Sequence, residues 1–199
     1  MRICLISIFL CFLFSCDAIM NSNTKDEPTV NTQPPPLPEE IKVDTPVINV
    51  EPTQLRPQLF MVMKDYANFE ADAKEKQKVI FNNLDFVLKK NNLMPVGEPA
   101  AWHWRQPNLY FVEVGVPMLK KLPYNEPGVY YKQTKRCKAV VAHYFGPYSK
   151  LSQAYVALDE WLKDNKQKQK GVAWEVFMSD PKVMKDKTFL QTDVYCEVE

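Results

Sequence analysis

One order of elements, strand then helix then strand then strand, is spelled out twice by the hydrophobic pattern between residue 58 and residue 199, and this repetition restricts the fold more than any other feature. LFMVM (residues 59–63) is a short apolar strand, and residues 69–93 then carry apolar side chains at helical spacing, with Ala73, Ile80, Leu84 and Leu88 on one stripe. Asn91 and Asn92 close that helix ahead of Pro95. Residues 100–104 and 109–118 read as two strands joined by a turn at Gln106, Pro107 and Asn108. After a turn at residues 126–128, a brief strand is expected over 129–131. The second round begins with the β-branched and aromatic run 137–144, broken by Gly146 and Pro147. Ser149 is placed to cap a helix with the stripe Leu151, Tyr155, Leu158 and Leu162, which runs out among Lys163, Lys166, Lys168 and Lys170 before Gly171. Strands over 172–178 and 189–197 complete it. The expected class is α+β, with antiparallel sheets built from duplicated units; the order of elements, rather than residue identity, carries the duplication.

The segment ahead of this domain has a different character. Residues 17–57 hold eight prolines and neither a glycine nor an aromatic residue. Such a stretch cannot bury enough apolar surface to offset its chain entropy, and its prolines bias it toward extended polyproline II. It is expected to be a disordered, semi-stiff tether reaching on the order of 100 Å at most. The globular domain is accordingly expected to span residues 58–199, which contain all four tryptophans and all five glycines.

At the N-terminus, Arg2 precedes an apolar run over residues 3–14, interrupted by Ser7 alone, too short to span a bilayer and the length of a secretory hydrophobic region. The run ends in Leu13, Phe14, Ser15, Cys16. This resembles the lipobox of bacterial lipoproteins, which implies a signal peptide over residues 1–16, acylation of Cys16, and a lipid anchor in a bacterial membrane on the periplasmic face or cell surface. The alternative is an ordinary signal peptide cut near Ala18.

The net charge is +1, so no long-range field favours nucleic acid as a partner. Cys4 and Cys11 fall in the signal, leaving Cys137 and Cys196 in the domain. If the first and last strands of the second unit are antiparallel neighbours, these two approach each other and are expected to form a disulfide in an oxidising compartment; two buried free thiols are the alternative. His103 and His143 have no Cys or carboxylate partner at metal-ligand spacing, so neither a metal nor another cofactor is expected.

FVEVGVP (111–117), VVAHYFGPYSKL (140–151), GVAWEVFMSDP (171–181) and TDVY (192–195) together resemble the GyrI-like effector-binding domain, also found at the C-terminus of multidrug-responsive regulators. The resemblance implies a pseudo-twofold pair of strand-helix-strand-strand units with a central ligand cleft. Two departures stand out: Phe145 adds an aromatic residue before Gly146 in a motif that usually reads HYGPY, and Phe177 stands where tyrosine is common.

Within GVAWEVFMSDP, alternation places Trp174, Val176 and Met178 on one strand face and Ala173, Glu175 and Phe177 on the other. The first set suits packing under the helices, which sends Glu175 to the opposite face. There it is either an ordinary solvated residue or, as the resemblance implies, the acid of an aromatic cleft that meets cationic ligands. Cleft candidates beside Glu175 are Phe177, Tyr195, Trp104, Tyr110, Phe111 and Tyr144, each of which could equally be core. Tyr195 shares a face with Asp193, and Glu113 is expected to face solvent. Three functions follow from the resemblance: an anchored binder of small amphipathic, cationic molecules, a hydrolase of cyclopropane-bearing xenobiotics with Glu175 as its catalytic acid-base, or a protein-interaction domain.

Overall fold

The computed structural model describes residues 45–199; the signal, Cys16 and most of the expected tether lie outside the described residues. In chain order the elements are β1 (Val47–Leu55), β2 (Leu59–Ala67), α1 (Glu70–Lys90), β3 (Ala100–Gln106), β4 (Leu109–Met118), β5 (Tyr130–Gln133), β6 (Cys137–Phe145), α2 (Ser152–Asp164), β7 (Gln169–Phe177) and β8 (Gln191–Val198). All eight strands join one antiparallel sheet in the order β1-β6-β8-β7-β3-β4-β2-β5.

β1 corrects the expected boundary at residue 57, because residues 47–55 pair along their whole length with β6. Pro52 disguised it. An edge strand tolerates proline because one side of its ladder has no partner, and the β-branched VINV run around Ile48 and Val50 was the available signal.

The ends of the sheet meet. Along the strand order, β1 and β2 are six spacings apart, roughly 29 Å at about 4.8 Å each, yet only Arg56, Pro57 and Gln58 connect them. Those few steps reach about 15 Å at most, so the sheet must curl. The register shows how it closes: the ladder from Val47↔Phe145 to Leu55↔Cys137 continues without a slip as Leu59↔Gln133 to Val62↔Tyr130. Between the two parts, the Thr134 amide donates to the Gln58 carbonyl at 2.9 Å and the Gln58 amide to Thr134 Oγ1 at 2.8 Å. β1 with β2, and β5 with β6, are thus the two arms of one long ribbon that ties the halves together.

Both helices lie on one sheet face. The α1 stripe buries Ala73, Ile80, Leu84 and Leu88 as expected, with Val87, and Ile80, Leu84, Val87 and Leu88 pack on Met61, Ala101, Val112 and Val114. Glu70 and Asp72 in its first turn and Lys89 and Lys90 in its last complement the helix dipole. The α2 stripe buries Ala154, Leu158 and Leu162 against Val140, Ala142, Val194 and Cys196. Ser149 does not cap α2; it sits in a 3-10 turn (Tyr148–Lys150) ahead of it.

The other face is covered by the curl itself. Phe60, Val62, Ala100 and Trp102 form its buried centre, joined by Trp104, Tyr130, Trp174 and Val176. The Phe60 ring meets Trp102 edge to face at 5.3 Å although β4 runs between their strands. Gly115 of β4 makes this contact feasible: a Cβ there would stand 3.3 Å from Phe60.

Candidate functional site

Glu175 sits at the midpoint of the molecule. On β7 it pairs with Ala101 of β3 and Val194 of β8, and both belong to the face that carries the helices. This reverses the expected assignment: Ala173, Glu175 and Phe177 face the helices, while Trp174 and Val176 pack inside the curl. The reversal has a physical cause. Curling buries the second face too, so apolar character does not separate the two sides. A bulge between Lys170 and Trp174, where Gly171 takes φ +74°, a conformation open to glycine at no steric cost, slips the β7–β8 register by two residues, which sets Glu175 level with Val194 and leaves its face unchanged.

α1 packs on the β2–β4 side and α2 on the β1–β6–β8 side, leaving a groove over the central β3–β7 pair. From α2, the Tyr155 hydroxyl donates to Glu175 Oε1 at 2.8 Å. From β3, His103 Nε2 stands 3.8 Å from Glu175 Oε2. Phe177, two residues along β7, is held edge-on by Phe81 of α1 at 5.3 Å and by Tyr148 at 5.9 Å. The groove floor thus carries a carboxylate bonded to Tyr155 and, two residues along the strand, a phenylalanine flanked by the Phe81 and Tyr148 ring edges.

Burial dominates the electrostatics. Glu175 is 9% exposed, and desolvation pushes its carboxyl above the usual range, opposed by His103, the Tyr155 hydrogen bond and the charge of Lys74. Burial also pushes the Tyr155 hydroxyl well up, reinforced by the Glu175 charge, so Tyr155 stays a donor at any ordinary pH.

Of the other sequence-derived candidates, only Phe177 joins Glu175. Tyr144 is fully buried in the α2 cluster, and its hydroxyl donates to the Pro147 carbonyl at 2.8 Å; it is core. Trp104 and Phe111 stack on each other at 5.2 Å on the opposite face. Tyr195 stacks on Trp174 at 5.6 Å, also on that face. Tyr110 is on the helix-bearing face but four residues from the Glu175 level, beneath the Arg105 guanidinium. Glu113 is not solvent-facing: it is 7% exposed and accepts from Tyr130 and Lys132. Sequence reasoning missed Tyr155, His103, Phe81 and Tyr148. Tyr155 was legible as a helix-stripe residue, but nothing local announces its hydroxyl's partner twenty residues on.

The expected disulfide is absent; Cys137 and Cys196 are free. β6 and β8 are antiparallel neighbours as supposed, but the register pairs Cys196 with Val140, three residues from Cys137. An odd offset puts the two thiols on opposite faces. Both histidines do have carboxylate neighbours, drawn from other strands: Glu175 for His103, and Asp193 and Glu51 for His143. No cluster of three or more His, Cys, Asp or Glu that could hold a metal ion occurs among the described residues. Two surface cavities, of about 520 and 360 Å³, lie at the β1–β2 link and between α1 and β2; neither is lined by Glu175.

A family model for a GyrI-like small-molecule-binding domain matches residues 65–199. No curated protein sequence matches the chain. Among solved structures, the C-terminal domain of EcmrR is similar with TM-score 0.63 and 16% identity, covering 77% of this chain and 98% of that one. The chain spans 57% of the longer EcmrR chain in its DNA complex. A hydrolase from Listeria innocua has TM-score 0.55 at 8% identity over 75% of this chain and 91% of its own. SAV2435, in a structure bound to tetraphenylphosphonium, has TM-score 0.54 at 10% identity over 76% of this chain and 94% of its own. At these identities the likeness is one of fold.

Proposed function

The chain belongs to the GyrI-like small-molecule-binding family, and on that premise we propose that the groove between α1 and α2 binds an amphipathic organic cation with Glu175 as its counter-charge. The observation that carries this is a carboxylate buried to 9% exposure on the groove floor beside the Phe81, Phe177 and Tyr148 rings. An isolated buried anion is costly, and an incoming cation relieves that cost while aromatic rings add about 0.5 to 2 kcal/mol of attraction. Phe177 fills the floor between Phe81 and Tyr148, so a ligand enters by turning that ring aside. SAV2435, whose fold is similar, is a protein described in complex with such a cation, tetraphenylphosphonium.

Calorimetric titration with tetraphenylphosphonium tests the reading, with neutral triphenylphosphine oxide as control. The wild-type chain is expected to prefer the cation, and Glu175→Gln to lose that preference, with cation affinity falling tenfold or more, about 1.4 kcal/mol. Equal affinity of the two chains for the cation would discard Glu175 as counter-charge. The three sheet tryptophans lie on the opposite face, so their fluorescence is a poor reporter of this groove.

A hydrolytic role is the second reading, favoured by a carboxyl held toward its protonated form by burial and hydrogen-bonded to Tyr155. The Listeria innocua hydrolase shares the fold. Turnover of a cyclopropane-bearing compound that disappears in Glu175→Gln would establish it. We place the domain at a bacterial membrane through acylated Cys16, on the strength of the Leu13 to Cys16 motif. Cys16→Ala should then move the chain from the membrane to the soluble fraction, and unchanged fractionation would refute the anchor.

A further inference from the structure

β8 turns Thr192, Val194 and Cys196 toward the helices, and all three are almost wholly buried. Thr192 is 0% exposed, and its Oγ1 is the one buried side-chain oxygen or nitrogen without a hydrogen-bond partner among the described residues. The hydroxyls around it are engaged elsewhere. Tyr144, its neighbour on β6, donates to the Pro147 carbonyl at 2.8 Å, and Tyr155 donates to Glu175 at 2.8 Å. Burial raises the Tyr148 hydroxyl and Thr192 opposes that from close by, yet Thr192 Oγ1 gains no hydrogen bond from it. A buried hydroxyl left unpaired costs stability on the scale of a whole hydrogen bond. Valine, of nearly the same shape, would avoid that cost.

The orphan lies on the groove floor. Thr192 pairs with Phe177 across the β7–β8 ladder and Val194 pairs with Glu175, so Thr192 and Glu175 are diagonal neighbours on one face, roughly 7 Å apart or a little less. Phe177 is also the ring held between Phe81 and Tyr148, so the movement that admits a ligand uncovers Thr192 as well.

We propose that Thr192 is a second anchor of this groove, taking the hydroxyl, carbonyl or amide group of a ligand whose positive centre lies beside Glu175. This rests on the cation-site reading above and narrows the ligand class. The ligand is an amphipathic cation that also carries a neutral hydrogen-bonding group roughly 7 Å from its charge. A threonine hydroxyl both donates and accepts, so it serves alcohols and carbonyls alike. The bond joins neutral groups, so its contribution is independent of the protonation state of Glu175. Selectivity follows from the orphan: a ligand that lacks the polar group leaves the hydroxyl unpaired, and one that carries it removes that cost.

The probes are (para-hydroxymethylphenyl)triphenylphosphonium and (para-ethylphenyl)triphenylphosphonium, equal in charge and nearly equal in shape. Each is titrated calorimetrically into the full chain and into its Thr192→Val variant. The wild-type chain is expected to bind the alcohol about tenfold more tightly than the ethyl probe. Thr192→Val is expected to abolish that preference by weakening the alcohol alone. Without ligand, the variant is expected to melt no lower than wild type, because it loses an unpaired hydroxyl. Equal wild-type affinities for the two probes would overturn the anchor and leave the cation site standing, a comparison that needs no variant. A preference that survives in Thr192→Val would assign the contact to another group and overturn the role of Thr192. A lower melting temperature in Thr192→Val would show the hydroxyl already bonded within the protein, which overturns the proposal too. If neither probe binds, the cation-site reading falls and the anchor with it.

Discussion

The Tyr155 hydroxyl of α2 donates to Glu175 Oε1 of β7 at 2.8 Å, tying a helix to the most deeply buried acid of the groove. That bond partly offsets the burial that raises the Glu175 carboxyl. Removing it in Tyr155→Phe should push the carboxyl higher still and cost about 1.5 to 3 kcal/mol of stability at neutral pH, the scale for a hydrogen bond to a charged group. The pH dependence gives the sign. A carboxyl whose folded value is raised contributes stability that is fully present below its unfolded value, near 4.3, and lost as pH rises through the folded value. Denaturant midpoints should therefore diverge above about pH 4.3, with Tyr155→Phe falling below wild type; coincident midpoints at pH 7 would remove the bond's significance.

His143 carries the opposite kind of pairing. Burial pulls its imidazole down, but Asp193 at 2.9 Å and Glu51 at 3.6 Å outweigh that and raise it overall. Its contribution is present in full below the unfolded histidine value, near 6.5, and is lost as pH rises through the raised folded value. Because Glu51 is on β1 and Asp193 on β8, the charged ring clamps the edge strand to the sheet. A urea midpoint higher at pH 6 than at pH 8.5 is expected, with the difference shrinking in His143→Gln. An identical drop in that variant would assign the effect elsewhere.

Much of this architecture was legible because helices announce themselves locally. The α1 stripe of Ala73, Ile80, Leu84 and Leu88 is buried as read, and so are Leu158 and Leu162 of α2. What escaped depends on contacts distant in sequence. Alternation separated Glu175 from Trp174 correctly but could not say which set meets the helices, since the curl gives both faces an interior. Tyr195 was drawn to the cleft by its motif and Trp104 as an aromatic strand residue, while parity and register send both to the other side. Glu175 and Phe177 were found because their motif is continuous on one strand; Tyr155 and His103 reach the same spot from α2 and β3.

The thiols give a direct chemical check. Cys196 is 1% exposed beneath α2, Cys137 is half-buried at the start of β6, and burial pushes both above the usual thiol range. Alkylation of the denatured, unreduced chain followed by peptide mass spectrometry should find both labelled. In the native chain Cys137 should react first, and Cys196 only on unfolding. A disulfide-linked peptide pair would contradict the register of β6 and β8.

The strand hidden in the proline-rich stretch makes the strongest claim on the fold. β1 covers the outer edge of β6 over nine residues, and its Ile48 and Val50 pack against the α2 cluster with Val140 and Tyr144. A chain starting at residue 58 would leave that edge bare, open part of this core and lose the Glu51 contact to His143. Burying two half-covered aliphatic side chains accounts for roughly 2 to 4 kcal/mol, before any loss of ladder hydrogen bonds, and an uncovered long edge invites pairing between copies. A chain starting at residue 45 is therefore expected to unfold in one cooperative transition, and one starting at residue 58 to melt roughly 4 to 16 °C lower, at about 2 to 4 °C per kcal/mol for a domain of this size, and to aggregate. Equal melting temperatures for the two would return residues 47–55 to the tether.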